Sequence, residues 1–409
     1  MAVSYINPLP NVVLTRIGKK GYNSSVTSEP STSYTVPGHQ ISNSGIPTPL
    51  SDNLRKKKIP KLDALRAVSA LIVVLYHFGF AFFPAGAGVM IFFVISGFLI
   101  TWLLLEEYDK TSRISLGSFY FRRTFRIFPA FYVFWAVTVV GLLVKHSHIL
   151  WGQVIAAFFY VGNYYQGLNH YPENGLSHVW SLGVEEQYYL LWPALVLLLV
   201  RNRQLLLRVT CWGILLVWIY RTVLQLAGAP EEYIYTAFDT RIDHLLVGCV
   251  LAISLRYGYF ARFWTIVCAR TGYMLLPFGG LILSTAAAWS LGTSYRNTVG
   301  FMLDPVLVAL LMTQLLASTH RWFAWMDCAP LVYLGTISYS TYLYHEMAAG
   351  IVAKAVGGMP AGVLSIDGVA ATYVAASISY YAVERPFLRL RGRIENRRRL
   401  ARLTSSSTG

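Results

Sequence analysis

The sequence predicts an all-α polytopic membrane protein with ten transmembrane helices, one short re-entrant segment and both termini cytoplasmic. Three observations predict it. Of 409 residues, 55% are hydrophobic and 13% charged, with a mean hydropathy of +0.48, whereas a soluble domain carries about 25% charged residues. Apolar windows then recur along almost the whole chain after residue 60. Finally, the net charge of +15 collects at the two ends: residues 1–60 hold seven Lys/Arg against two Asp/Glu, and 385–409 hold eight Arg against one Glu. Basic ends flanking apolar spans are what the positive-inside bias produces, so nucleic-acid binding is not needed to explain them.

Residues 1–58 are rich in Ser, Pro, Thr and Asn and contain no apolar stretch long enough for a signal peptide. They read as a disordered, basic cytoplasmic tail. The membrane domain follows at 59–388, with windows at 64–83, 88–105, 127–144, 149–163, 184–200, 205–227, 243–256, 273–291, 298–316, 332–355 and 362–383. A spanning helix needs about 20 residues, so 149–163 is too short to count without other support. Charge decides its status. With Arg55-Lys56-Lys57-Lys58 inside, Arg113, Arg122, Arg123 and Arg126 also fall inside. Arg201, Arg203 and Arg208 join them only if 149–163 dips in and returns, which leaves outer loops at 164–183 and 228–240. A basic cytoplasmic tail, 389–409, closes the chain. Cys211, Cys249, Cys268 and Cys328 lie far apart, suggesting neither zinc nor a disulfide framework.

Ionisable groups within spans are costly and usually face a cavity or a partner, and five clusters qualify. Arg66 and His77 stand eleven residues apart, about 20° past three full turns and about 16 Å along a helix. They share a face, suiting a long ligand with an anionic end and a reactive end; a snorkelling arginine and a packed histidine fit the spacing equally well. Arg122, Arg123 and Arg126 form a phosphate site or a positive-inside anchor. Glu185 and Glu186, after Trp180 and Ser181, lead into an apolar span, where they could orient a catalytic histidine or simply favour a helix start. Arg241 and Asp243 open another span. Ser338, Tyr342 and His345 line one helix face, either towards a cavity or in helix packing. Asp304-Pro305 suggests a kink, and His146-Ser-His148 lacks a third metal ligand, so no metal is expected.

In order, these segments resemble the acyltransferase-3 family of integral membrane O-acyltransferases. The residues that carry the resemblance are Asp63-x-x-Arg66 with His77, Gly88 to Ile100 around Ser96-Gly97-Phe98, Arg122-Arg123-x-x-Arg126-Ile-x-Pro129, Trp180-Ser181-Leu182-x-Val184-Glu185-Glu186-Gln187-Tyr188-Tyr189, Arg241-x-Asp243, Ser338-Tyr339-x-x-Tyr342-Leu343-x-His345 and Glu384-Arg385-Pro386. The resemblance covers about residues 59–388. It implies transfer of an acyl group, commonly acetyl, from cytoplasmic acyl-CoA to a hydroxyl of a glycan or of a small molecule at the cell membrane. His77 would match the family's essential histidine and Arg66 its partner. Arg122, Arg123 and Arg126 would contact the donor, while Glu185 and Glu186 match the carboxylate pair. Trp180, Ser181, Arg241, Asp243, Tyr342 and His345 would line the cavity. The chain ends in only about 24 basic and polar residues, so a relay through a second, hydrolase-like domain is not expected.

That chemistry needs a held thioester, a base for the incoming hydroxyl and stabilisation of the oxyanion. His77 is the candidate base, and an acyl-histidine intermediate stays open. A secondary metabolite such as a macrolide sugar is an alternative acceptor. The rivals from other classes are a flippase for a glycolipid or anion and a non-catalytic scaffold, although the internal repeats common in transporters are not visible.

Overall fold

Residues 46–56, 58–80, 84–172, 174–355 and 366–406 are described by the structure, a computed structural model. The helices are α1 (Thr48–Arg55), α2 (Pro60–His77), α3 (Ala85–Thr111), α4 (Leu116–Val144), α5 (Trp151–Phe158), α6 (Gly162–Leu168), α7 (Trp180–Leu199), α8 (Arg203–Leu226), α9 (Glu231–Thr236), α10 (Phe238–Tyr257), α11 (Ala261–Val267), α12 (Leu275–Tyr295), α13 (Phe301–Ala317), α14 (Ala329–Thr336), α15 (Ser338–Ala355), α16 (Ile366–Ser379) and α17 (Arg385–Ser406). Among the described residues there is no strand, in keeping with the all-α expectation. Helix starts follow local chemistry. Pro60 opens α2 at a position where its missing N–H is harmless, and the side chains of Ser115 and Asn202 accept from the backbone N–H groups of Ser118 and Leu205.

Four helical runs among the described residues are long and apolar enough to cross a membrane: Ala85–Thr111, Leu116–Val144, Arg203–Leu226 and Thr271–Ala317; a fifth counts if Glu231–Tyr257 and Ala261–Val267, bent by 106°, form one span. The described residues thus bear out the all-α expectation but hold fewer than ten helices of that length and apolarity, and the reasons are local. The windows 273–291 and 298–316 merge into one run bent at Gly292, whose φ of 73° suits glycine. Window 332–355 divides at Ile337 into α14 and α15. Helix α2 carries Lys61, Asp63 and Arg66 in its first turns, and part of 362–383 lies outside the described residues. The expected disordered tail also needs correction, because α1 forms within it. Leu50 and Leu54 are buried, and Asn53 Nδ2 donates to the Leu316 carbonyl at 2.8 Å. The rest of that tail, up to residue 45, lies outside the described residues.

Ion pairs sort the helix ends. Asp109, near the end of α3, meets both Arg203 at the start of α8 (3.4 Å) and Arg256 at the end of α10 (2.7 Å). These ends share one side. Lys61, at the start of α2, donates to the carbonyls of Leu315 and Ser318, so the α13 terminus also packs beside the α2 start. Glu231 pairs with Arg296, joining α9 to the segment after α12. Between the long helices α4 and α7, the chain turns back through α5 and α6, of eight and seven residues. At about 1.5 Å per residue each is near 12 Å long, too short to cross.

Helices α3 and α10 pack closest. A Cβ added at Gly97 would lie 1.9 Å from the Leu245 carbonyl oxygen, and one at Gly248 would lie 2.1 Å from that of Val94. Backbone contact of this kind between apolar helices requires glycine, which accounts physically for Ser96-Gly97-Phe98 and fixes Ser96 on the side facing α7.

Candidate functional site

Helical spacing brings the polar residues of five helices to a central cavity. Ser181, Glu185 and Tyr189 follow one another at i, i+4 and i+8 on α7, Arg123 and Arg126 at i and i+3 on α4, and Ser338 and Tyr342 at i and i+4 on α15; all face inwards. Together with Arg66 of α2 and Ser96, Phe92 and Phe93 of α3 they line about 670 Å³, open mouth included. Arg66 sits 3.7 Å from Asp63. Ser96 donates to Glu185 (2.8 Å) and receives Tyr189 Oη (3.3 Å), and the Arg123 guanidinium lies 5.0 Å over the Tyr189 ring. Three arginines around one mouth offer the planar forks that match phosphate oxygens.

The arginine run divides its work. Arg122 does not line the central cavity; it reaches Glu107 at 3.2 Å and faces a second cavity of about 500 Å³. Arg123 and Arg126 line both cavities, and Arg391 of α17 joins them in the second. No signal in the sequence separated Arg391 from the other arginines of the basic C-terminal tail.

His77 stands elsewhere. As the last residue of α2 it lies about 16 Å of helix rise beyond Arg66, and its side chain is 28% exposed rather than deep in a span. Its Nδ1 is 2.9 Å from the Val73 carbonyl. A carbonyl only accepts, so Nδ1 carries a proton there. The other ring nitrogen, Nε2, faces Glu346 Oε1 at 3.7 Å, with the ring centroid of His345 4.6 Å away. His178 Nδ1 meets the other Glu346 oxygen at 3.0 Å, and Ser177 Oγ donates to it at 3.2 Å. His345 Nδ1 is bound to the Tyr342 carbonyl at 2.6 Å, and its Nε2 is buried and unpartnered.

Tyr342 connects the two regions. Its hydroxyl meets Ser181 Oγ at 2.5 Å and donates to the His178 carbonyl at 2.7 Å, so one side chain borders the cavity and braces the histidines. The stripe Ser338, Tyr342, His345 thus leads from the cavity into the cluster, as its spacing suggests. The expectation that Glu185 and Glu186 orient the histidine is corrected: Glu185 binds Ser96, Glu186 is not among the cavity-lining residues, and the carboxylate facing His77 is Glu346. Glu346 was missed although an acid inside an apolar window, beside a histidine, is the signal that marks an intramembrane site. Ligand atoms of His77, His345 and Glu346 lie within 4.8 Å of one another, and such a trio could also draw in a divalent cation.

Arg241 and Asp243 form a third group. Asp243, fully buried, receives Arg221 Nη1 (2.9 Å), Trp218 Nε1 (2.8 Å) and His244 Nδ1 (2.8 Å). Arg241 lies instead over the Phe301 ring at 3.9 Å, between Trp180 and Tyr235.

Residues 59–380 match a family model described as an acyltransferase domain. The chain is similar to peptidoglycan O-acetyltransferase OatA of Listeria monocytogenes, 31% identical over 81% of this chain and 56% of the relative. It is 32% identical to a Staphylococcus aureus protein to which O-acetyltransferase activity is attributed, over 81% of this chain and 58% of that one. A Bacillus subtilis protein, YrhL, to which peptidoglycan O-acetylation is attributed, is 29% identical over 80% and 54%. The chain thus spans a little over half the length of the curated relatives it matches. No solved structure matches it. With the model matched across nearly all of the described membrane helices, the chain belongs to the acyltransferase-3 family.

Proposed function

We propose that the protein is a membrane O-acetyltransferase that moves an acyl group from cytoplasmic acyl-CoA to a hydroxyl of a cell-surface glycan. The observation that carries this reading is the alignment of two chemistries along one path, with arginines at the Arg66 end of the cavity and a histidine–carboxylate cluster beyond Tyr342. Relatives bearing the name peptidoglycan O-acetyltransferase supply the acceptor class. In this reading the helix ends near Lys61, Asp109 and Arg203 face the cytoplasm, the chain crosses ten times in all, and α5–α6 is the re-entrant segment.

The reaction then runs as follows. Donor phosphates rest on Arg66, Arg123 and Arg126, and the thioester reaches past Tyr342 towards His77. The acceptor hydroxyl attacks the thioester carbonyl, forming a C–O bond as the C–S bond breaks. His77 Nε2 takes the hydroxyl proton, and Glu346 stabilises the imidazolium that forms. The proton is returned to the departing thiolate, releasing coenzyme A and leaving His77 neutral. Purified protein in detergent, given acetyl-CoA and a soluble peptidoglycan acceptor, should release coenzyme A and acetylate the acceptor in equal amounts. Absence of both would favour a flippase reading instead.

A further inference from the structure

The Arg241 group is not used by the mechanism above, and its hydrogen bonding is incomplete in a particular way. Arg241 is 0% exposed, yet none of its three guanidinium nitrogens has a partner. A buried donor left unmet costs about 1–3 kcal/mol, and more when charged, and this guanidinium leaves all its donors unmet at once. Arg221 Nη2 is unmet beside it. Acceptors are unmet there too. His244 donates from Nδ1 to Asp243, so its buried Nε2 is a free lone pair, and Asp304 Oδ1, one turn along α13 from Phe301, is also unpartnered.

The ring of Phe301 is the common centre: the guanidinium carbons of Arg241 and Arg221 lie 3.9 and 5.5 Å from its centroid, and the ring of His244 lies at 5.5 Å. Trp180 and Tyr235 add two more faces, their centroids 5.1 Å apart. A simple anion would satisfy the arginines but oppose the lone pair and the carboxylate. An apolar ligand would satisfy neither. Hydroxyl groups both donate and accept, and the C–H faces of a sugar ring pack on aromatic rings.

We infer that this cage is the subsite that holds a pyranose ring of the acceptor. Its position fits: Trp180 precedes Ser181 in the cavity wall, and Phe93, another lining residue, packs against both Trp180 and His244. The inference rests on a glycan acceptor, so its test is a binding measurement that requires no acyl donor. The full-length protein in detergent is titrated by calorimetry with the disaccharide of N-acetylglucosamine and N-acetylmuramic acid, and separately with coenzyme A and inorganic phosphate. Wild type should bind the disaccharide saturably, and Arg241→Met should weaken it at least about tenfold while coenzyme A binding holds. Should Arg241→Met not fold, Phe301→Leu and His244→Gln serve as milder variants with the same expected loss. Disaccharide affinity unchanged in the folded variants would overturn the subsite, as would wild type binding phosphate at the Arg241-dependent site and no disaccharide. Acetyl transfer measured in parallel keeps that failure apart from failure of the proposed reaction.

Discussion

Replacing Glu346 with Gln removes one charge and keeps the shape of the side chain. In wild type Glu346 Oε1 faces His77 Nε2 at 3.7 Å. The worth of that charge to an imidazolium forming at His77 follows from Coulomb's law: about 1 kcal/mol at a dielectric of water and about 4.5 kcal/mol at an effective value near 20. Both side chains are partly exposed, 28% and 19%, which places the effect between those limits. The expected loss of turnover is therefore about 10- to 1000-fold. The donor KM should hold, because Glu346 is not among the residues lining the arginine-rich cavity. The assay is coenzyme A release under saturating acetyl-CoA, on protein shown monodisperse by size exclusion. A Gln variant keeping more than half of wild-type turnover would refute the role given to Glu346. A raised donor KM with normal turnover would refute the separation of donor binding from proton transfer.

Arg123→Ala should raise the donor KM about 10- to 150-fold, the equivalent of one charge-assisted contact of about 1.5–3 kcal/mol; Arg122→Ala should raise it less, since Arg122 faces Glu107 and only the second cavity, and equal effects would argue against that division. In intact cells, cysteine at position 170 should react with an impermeant maleimide and cysteine at 205 should not; the reverse pattern would overturn the re-entrant reading of α5–α6. Dialysis against EDTA should leave turnover unchanged if His77, His345 and Glu346 act through protons, while a loss restored by zinc would make the trio a metal centre.

The all-helical character was legible because long apolar windows recur along the chain, and four helical runs among the described residues are long and apolar enough to cross a membrane. The Ser338, Tyr342, His345 stripe was legible for a related reason: helical spacing alone puts the three on one face. What could not be read was how helices pair. Whether Glu185 or Glu346 faces the histidine depends on the packing of α7 and α15 against α2, and nothing local encodes it. The break at Ile337 was hidden because the short polar run Gly335-Thr336-Ile337-Ser338 is averaged into a longer window, and the bend at Gly292 because glycine is common in apolar helices. Helix α1 was hidden by its polar neighbours; only the pair Leu50 and Leu54, four apart, hinted that a short helix docks there.

The central claim is that His77 takes the proton from the acceptor hydroxyl. Its most direct test is turnover of His77→Ala, with coenzyme A binding measured on the same preparation. The account predicts coenzyme A binding close to wild type and transfer reduced at least about 10²- to 10⁴-fold, the usual worth of general base catalysis. Transfer above a tenth of wild type in that folded, donor-binding variant would contradict it and leave His77 a packing residue at the end of α2.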